Sequence, residues 1–368
     1  MLTFVLGCLA PAFAISFLAT AAMRRIAPRV GLIDRPAARK VHVVPTPLGG
    51  GIGIWLGVVV PLVGVQLLGW LSHKGWVDWL HLPANLTVHL DGIGYRAPQL
   101  WAILAGGTIL LVMGLLDDLK NLHWLPRLFL QIAIAAGLVM SGVSMTLFID
   151  QPWIGHVVTV FWLLVLMNSF NFLDNMDGLS AGIALIASSC FVIVMLTGTS
   201  EPRWLVAGVL LILAGALAGF LCHNWPPARI FMGDTGSHFV GLMLASMTVL
   251  GTFYEAKAGT ESRHVILAPL CILAVPLYDT ASVIVIRLMQ RRSPFHADKS
   301  HFSHRLVELG LKSKYAVLTI YLATMTTGLA GLLLYRVDDW SAALLIMALV
   351  VCVLTIVAIL ETVGRNRR

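Results

Sequence analysis

Val157–Gly178 reads VVTVFWLLVLMNSFNFLDNMDG. Its first half, VVTVFWLLVLM, carries no charge and has the composition of the end of a membrane helix. Its second half holds Asn168, Asn171, Asp174, Asn175 and Asp177, with no lysine or arginine among them. The apolar half decides the fold class. The polar half raises a chemical question: two carboxylates and three amides sit at a membrane edge with no cation of their own.

The rest of the chain repeats the apolar half. Of its 368 residues, 58% are hydrophobic and 12% charged, and the mean hydropathy is +0.87. Soluble domains carry roughly 25% charged residues. A membrane span needs about 20 mostly apolar residues. Such stretches fall at 2–23, 49–71, 98–116, 126–143, 155–171, 179–198, 203–221, 236–254, 264–288, 314–335 and 341–361. Backbone groups in lipid must bond within their own segment. The expectation is therefore an all-α, polytopic integral membrane protein with about eleven transmembrane helices. No linker is long enough to divide it, so 1–368 is read as a single domain. The first stretch is read as an anchor: its basic cluster follows the apolar run, and none precedes it.

The net charge of +7 is a topology signal rather than a nucleic-acid footprint. Nineteen of the 25 lysines and arginines fall in alternate connecting segments, at 24–40, 120–127, 229, 287–314 and 365–368. Lys74, Arg96, Arg203, Lys257, Arg263 and Arg336 occupy the others. Positive charge marks the inner side, so the amino terminus is expected outside and the carboxyl terminus inside. The five cysteines form no CxxC pair and read as small core residues. Trp70, Trp76 and Trp79 border the largest outer segment, 72–98, as interface anchors.

Nearly all the chemically suggestive residues lie in the inner segments, as a composite site opening to the cytoplasm would require. Asp117 and Asp118 end the third stretch. Adjacent carboxylates repel, so both stay ionised only beside a metal or other cations, and a helix carboxyl end disfavours acids. Asn168, Asn171, Asp174 and Asp177 recur every three residues, and i, i+3 neighbours share a helix surface. Gly178 then permits a sharp turn. Oxygen ligands of this kind suit a hard cation such as Mg²⁺, while the plainer reading is a capped polar helix end. FMGDTGS sets Asp234 at a helix start, either as an ordinary cap or where backbone amides meet a phosphate. HADKSHFSHRL supplies His296, His301, His304 and Arg305, a group suited to gripping phosphate; zinc competes weakly, with no cysteine nearby. Asp279 lies inside the ninth stretch and pairs with a neighbouring helix or serves function. Lys40 and His42 precede the glycine run PTPLGGGIG.

KVHVVPTPLGG, GLLDDL, NSFNFLDNMDGLSAG, FMGDTGS and SPFHADKSHFSHRL occur in that order on the expected inner face. In these motifs, over 39–306, the chain resembles the polyprenyl-phosphate N-acetylhexosamine-1-phosphate transferases, the superfamily that includes phospho-N-acetylmuramoyl-pentapeptide transferase. HADKSHFSHRL is similar to the branch that begins O-antigen, enterobacterial common antigen or teichoic acid synthesis. The muramoyl-pentapeptide branch, the alternative, carries a run of adjacent histidines. Asn175 departs from the small residue common in the first branch.

The resemblance implies transfer of an N-acetylhexosamine 1-phosphate, GlcNAc-1-phosphate foremost, from a UDP-sugar to undecaprenyl phosphate with release of UMP. It implies Mg²⁺, with Mn²⁺ as a substitute, held by Asn171 and Asp234. Asp117 and Asp118 would lie beside the lipid phosphate, Asp117 as base or orienting group. Asp174 would support the metal shell and Asp177 the uracil end. His301, His304 and Arg305 would hold phosphate or sugar oxygens, with Lys40 near. Asn168 extends the substrate-binding set. The location implied is a bacterial cytoplasmic (inner) membrane with the site on its cytoplasmic face; a homodimer stays open. Two rivals come from other classes. A secondary transporter would place its acids near mid-span in paired repeats. An intramembrane aspartyl protease would use Tyr278–Asp279 and Gly233–Asp234, but in the opposite order.

Overall fold

The structure, a computed structural model, describes residues 1–36, 44–76, 96–145, 151–199, 202–253, 263–293 and 300–365. Among these residues, regular structure is helical apart from a two-residue antiparallel pair, β1 (Ile33–Asp34) with β2 (Thr46–Pro47). The helices are α1 (Leu2–Ile26), α2 (Gly50–His73), α3 (Ala97–Lys120), α4 (Trp124–Met140), α5 (Pro152–Leu173), α6 (Leu179–Thr197) and α7 (Trp204–Asn224). They continue with α8 (Asp234–Thr248), α9 (Ala268–Ile272), α10 (Ala274–Met289), α11 (Phe302–Glu308), α12 (Ser313–Leu333) and α13 (Trp340–Arg365).

Eight of the described helices are long and apolar enough to cross a membrane, and a ninth span arises if the bent pair α9–α10 is counted as one. The molecule is thus a helical polytopic membrane protein. The stretch 264–288, read as one span, is broken by 67°. Proline cannot donate to the carbonyl a turn earlier, and Pro269 and Pro276 flank the break at Leu273. The series from Asn168 to Asp177 is broken too. The helix carries Asn168 and Asn171 but ends at Leu173, with Asp174 as its cap. Gly178, at φ +74°, starts α6 in a new direction.

A helix that is apolar all round must be enclosed by others. Helix α8 fits that rule: every residue from Thr235 to Thr248 is buried, against α2, α3 and α5. Helix α7 is nearly as enclosed, between α1, α2 and α6. At the other extreme, α13 buries only 17% of its apolar window, and Leu344, Leu345 and Leu349 expose their side chains as a lipid-facing surface does.

Small residues let membrane helices touch through their backbones. A Cβ on Gly114 of α3 would overlap the Asp234 carbonyl and the Thr235 nitrogen. Gly51 of α2 and Gly236 of α8 meet in the same way. The connections are tied together at this end. Gly50 N–H donates to the Phe231 carbonyl at 2.9 Å, and Phe231 N–H donates to the Pro47 carbonyl at 2.9 Å. These connecting segments therefore meet around the amino terminus of α8.

Gly114→Ala should force α3 away from α8 and lower stability by about 1–3 kcal/mol, the cost of an overpacked interior. Gly137→Ala, on α4 where an added Cβ meets nothing within 4 Å, should leave the unfolding midpoint unchanged or slightly raised. Thermal unfolding of both variants in detergent compares them.

Candidate active site

The site is built on a borrowed helix cap. The first amides of a helix lack intrahelical partners, and Gly233, the residue before α8, has no side chain to supply one. Asp118 supplies it from the end of α3. Its Oδ1 accepts from Asp234 N–H at 3.0 Å. Its Oδ2 accepts from Thr235 N–H at 3.2 Å and from the Thr235 hydroxyl at 2.5 Å. Asp174, at the end of α5, accepts from Gly233 N–H at 3.1 Å. Two carboxylates from different helices thus hold the three residues that open α8.

Asp234 faces outward from this frame, with its side chain 29% exposed. Its Oδ1 accepts from the Asn171 amide at 2.7 Å, and the same amide donates to the Ser237 hydroxyl at 3.0 Å. Its Oδ2 accepts from Nη1 of Arg127 at 2.6 Å. That nitrogen also pairs with Oδ2 of Asp117, whose Oδ1 accepts from Leu122 N–H at 2.6 Å. The cation missing from the local sequence therefore comes from α4. Arg127 reads along the chain as an inner topology charge; only its lying in the first turn after the three-residue hinge that follows Asp117 and α3 could have marked it.

Asp174 lies just beyond α5. Burial, followed by the charges of Asp234 and Asp118, pushes its carboxyl well above the usual range. Asn168 sits deeper, its amide donating to Oε1 of Gln131 and to the Leu164 carbonyl, both at 2.8 Å. Asp177 turns away from α8 and accepts from Ala228 N–H at 2.9 Å. Asn224 bridges the same two turns, accepting from Gly178 N–H at 2.9 Å and donating to the Ile230 carbonyl at 2.8 Å.

A second cluster joins this one through the α5–α6 turn. His301 caps α11 and contacts Asp279 through Nδ1 at 3.0 Å. The other oxygen of Asp279 accepts from Phe302 N–H at 2.6 Å, so both Asp279 oxygens serve α11 rather than Asp234. The His304 ring centroid lies 6.3 Å from that of His301. Ser303 donates to Oδ1 of Asn175 at 2.6 Å, and the Phe172 and His301 rings meet edge to face at 5.8 Å. Arg305 is buried, its Nε 3.1 Å from Glu361 and its Nη2 donating to Ser282 at 2.8 Å. Lys40, His42 and His296 lie outside the described residues.

No three His, Cys, Asp or Glu side chains form a ready-made metal cage among the described residues. The donors present at the start of α8 are oxygens, which suits a hard divalent ion completed by other ligands rather than a soft one. Between α3 and α4 runs an apolar groove of about 380 Å³, lined by Val112, Met113, Leu116, Leu122 and Leu130, with Arg127 also in its wall.

Residues 100–252 match the glycosyl transferase family 4. The chain is similar to a probable undecaprenyl-phosphate N-acetylglucosaminyl 1-phosphate transferase of Bacillus subtilis, with 31% identity over 340 residues, 90% of this chain and 85% of that protein. It is also similar to a decaprenyl-phosphate N-acetylglucosaminephosphotransferase of Mycobacterium tuberculosis, with 32% identity over 370 residues, 94% of this chain and 87% of that protein. An undecaprenyl-phosphate alpha-N-acetylglucosaminyl 1-phosphate transferase of Escherichia coli shares 27% identity over 333 residues, 86% of this chain and 81% of that protein.

If Arg127 couples Asp117 to Asp234 as the distances indicate, Arg127→Ala and Asp117→Ala should be strongly non-additive in thermal or denaturant unfolding. A coupling energy of about 1–3 kcal/mol is expected for side chains in one ionic network.

Proposed function

The chain belongs to the polyprenyl-phosphate N-acetylhexosamine-1-phosphate transferases of glycosyl transferase family 4, and from that membership we propose that it transfers GlcNAc-1-phosphate from UDP-GlcNAc to undecaprenyl phosphate, releasing UMP. The observation that carries this reading is the convergence of Asp117, Asn171, Asp174 and Asp234 at the start of α8, beside an apolar groove whose wall includes Arg127. A lipid phosphate needs an apolar track and a cation at its head, and the groove with Arg127 has both. Both carboxylate contacts of Arg127 use Nη1, and a guanidinium has further donors for a phosphate oxygen.

The reaction exchanges one phosphoanhydride for another. An oxygen of the lipid phosphate bonds to the β-phosphorus of the UDP-sugar, the α–β bridging oxygen bond breaks, and UMP leaves with that oxygen. Catalysis of this kind rests on in-line positioning and charge neutralisation. Asp117 orients the attacking phosphate and takes its residual proton if one is present. Arg127 neutralises the approach of that anion to the acids. Asp118 and Asp174 keep the start of α8 fixed, so that Asp234 and Asn171 hold their positions through the transfer. His301, His304 and Arg305 hold donor oxygens, and Asp177 and Asn168 belong to the donor end of the site together with Lys40. Asn171 and Asp234 would hold Mg²⁺, which when bound neutralises the diphosphate charge.

The finer topology belongs to the same proposal. Eleven spans result if α4 and α8 with its π-helical extension Val249–Phe253 also cross. With the amino terminus outside, the site end carries the basic segments and faces the cytoplasm. The reaction would then be the first membrane step of a cell-envelope polysaccharide pathway in a bacterial inner membrane.

Purified protein with undecaprenyl phosphate and Mg²⁺ should release UMP from UDP-GlcNAc in a panel of UDP-sugars; folded protein inactive with every UDP-N-acetylhexosamine would reject the proposal. Val112→Trp should fill the groove and raise the KM for the lipid at least tenfold while leaving the KM for UDP-GlcNAc unchanged.

A further inference from the structure

The carboxyl-terminal helix α13 faces lipid along most of its length, yet near its end it buries an acid. Glu361 is 6% exposed. One of its oxygens, Oε2, lies 3.1 Å from Nε of Arg305 and accepts from the Tyr278 hydroxyl at 3.1 Å. A carboxylate at such a place is costly and persists where something pairs with it. The pairing reaches across three elements: Glu361 on α13, Tyr278 and Ser282 on α10, and Arg305 on α11.

We propose that Glu361 is a positioning residue that sets the Arg305 guanidinium, and with it helix α11, for donor binding. Helix α11 has only seven residues and cannot hold itself by its own backbone bonds. It is pinned at three points. Asp279 takes His301 and Phe302 N–H at its start. Asn175 takes Ser303. Glu361 takes Arg305 at its middle. The third pin differs from the others in fixing a guanidinium rather than the backbone or a hydroxyl. Glu361 meets Nε as an ion pair that forms no hydrogen bond, and Nη2 donates to Ser282. The charge contact and the one hydrogen bond hold the guanidinium at two points. Tyr278 in turn fixes the Glu361 carboxylate, so the order of action is Tyr278, Glu361, Arg305. A helix that otherwise faces lipid thereby becomes part of the donor site.

The inference rests on the reading of His301, His304 and Arg305 as the donor-holding group, and its test separates the two. The detergent-purified full chain is assayed with UDP-GlcNAc and undecaprenyl phosphate, and UMP binding is measured without lipid. Glu361→Gln keeps the shape and removes the charge. It should raise the KM for UDP-GlcNAc about tenfold and weaken the competition of UDP-GlcNAc with bound UMP equally, with kcat and the lipid KM within twofold of wild type. Tyr278→Phe should move the same KM in the same direction by about threefold, and Glu361→Asp should fall between Gln and wild type. An active Glu361→Gln enzyme with an unchanged donor KM would overturn the inference and leave the site reading intact. So would a uniform fall in kcat and both affinities accompanied by a lowered unfolding midpoint, which is what a purely structural anchor would give. A wild-type chain that binds no UMP and turns over no UDP-sugar would instead remove the site reading on which it rests.

Discussion

The arrangement depends on the carboxylate of Asp118 meeting the first amides of α8. A buried helix start with unpaired N–H groups is costly, and here the glycine that precedes the helix supplies no side chain. An acid from α3 satisfies both amides and sets a negative charge against the positive end of the helix dipole. The approach is possible because Gly114, one turn before Asp118, lets the α3 backbone touch that of α8. Once the cap is made, Asp234 can occupy only the outward face of the helix start. Asn171 and Arg127 then meet it from two further helices.

Charge balance at that point explains the polar edge of α5. Asp117 and Asp234 meet the guanidinium of Arg127, while Asp118 and Asp174 hold the backbone at the start of α8 beside them. Asp118 is offset by amides and the helix dipole, and Asp117 and Asp234 share Arg127. At Asp174 burial, followed by the charges of Asp234 and Asp118, pushes the carboxyl well above the usual range. A site with this excess of oxygen donors would be completed by a cation arriving with the substrate, consistent with the proposed Mg²⁺ on a nucleotide diphosphate. The adjoining groove is the apolar counterpart, since one helix pair lines the track and also supplies Arg127.

The second cluster follows a different design. Helix α11 is too short to stand alone and borrows its rigidity from α10, α13 and the α5–α6 turn. Asp279, an ionisable residue within a predicted span, serves here as the anchor of that helix. The turn from Asn171 to Gly178 links the two clusters, with Asn171 on the Asp234 side and Asn175 on the Ser303 side. Its length is set by Gly178, which at φ +74° ends one helix geometry and begins the next.

Much of this was legible in the residues taken alone. Hydropathy specified a helical membrane protein, because lipid leaves a backbone no other way to pair its polar groups. The five motifs marked the family, and Asp117, Asp234 and Asn171 stood out as acids and amides where a helix end should be plain. Period and composition act over a few residues, however, and three features lay beyond them. Arg127 looked like one more topology charge until packing brought it to Asp234, 107 positions away. Asp118 looked like half of an acidic pair until it proved to cap a helix 116 positions on. Glu361 lay outside every motif, at the end of an apolar stretch, until packing brought it to Arg305. Sequence by itself determined that the chain is a helical membrane protein, since that is a matter of local transfer free energy. The tertiary structure alone decided which charge answers which, since pairing energy falls with distance and only helix packing sets the distance.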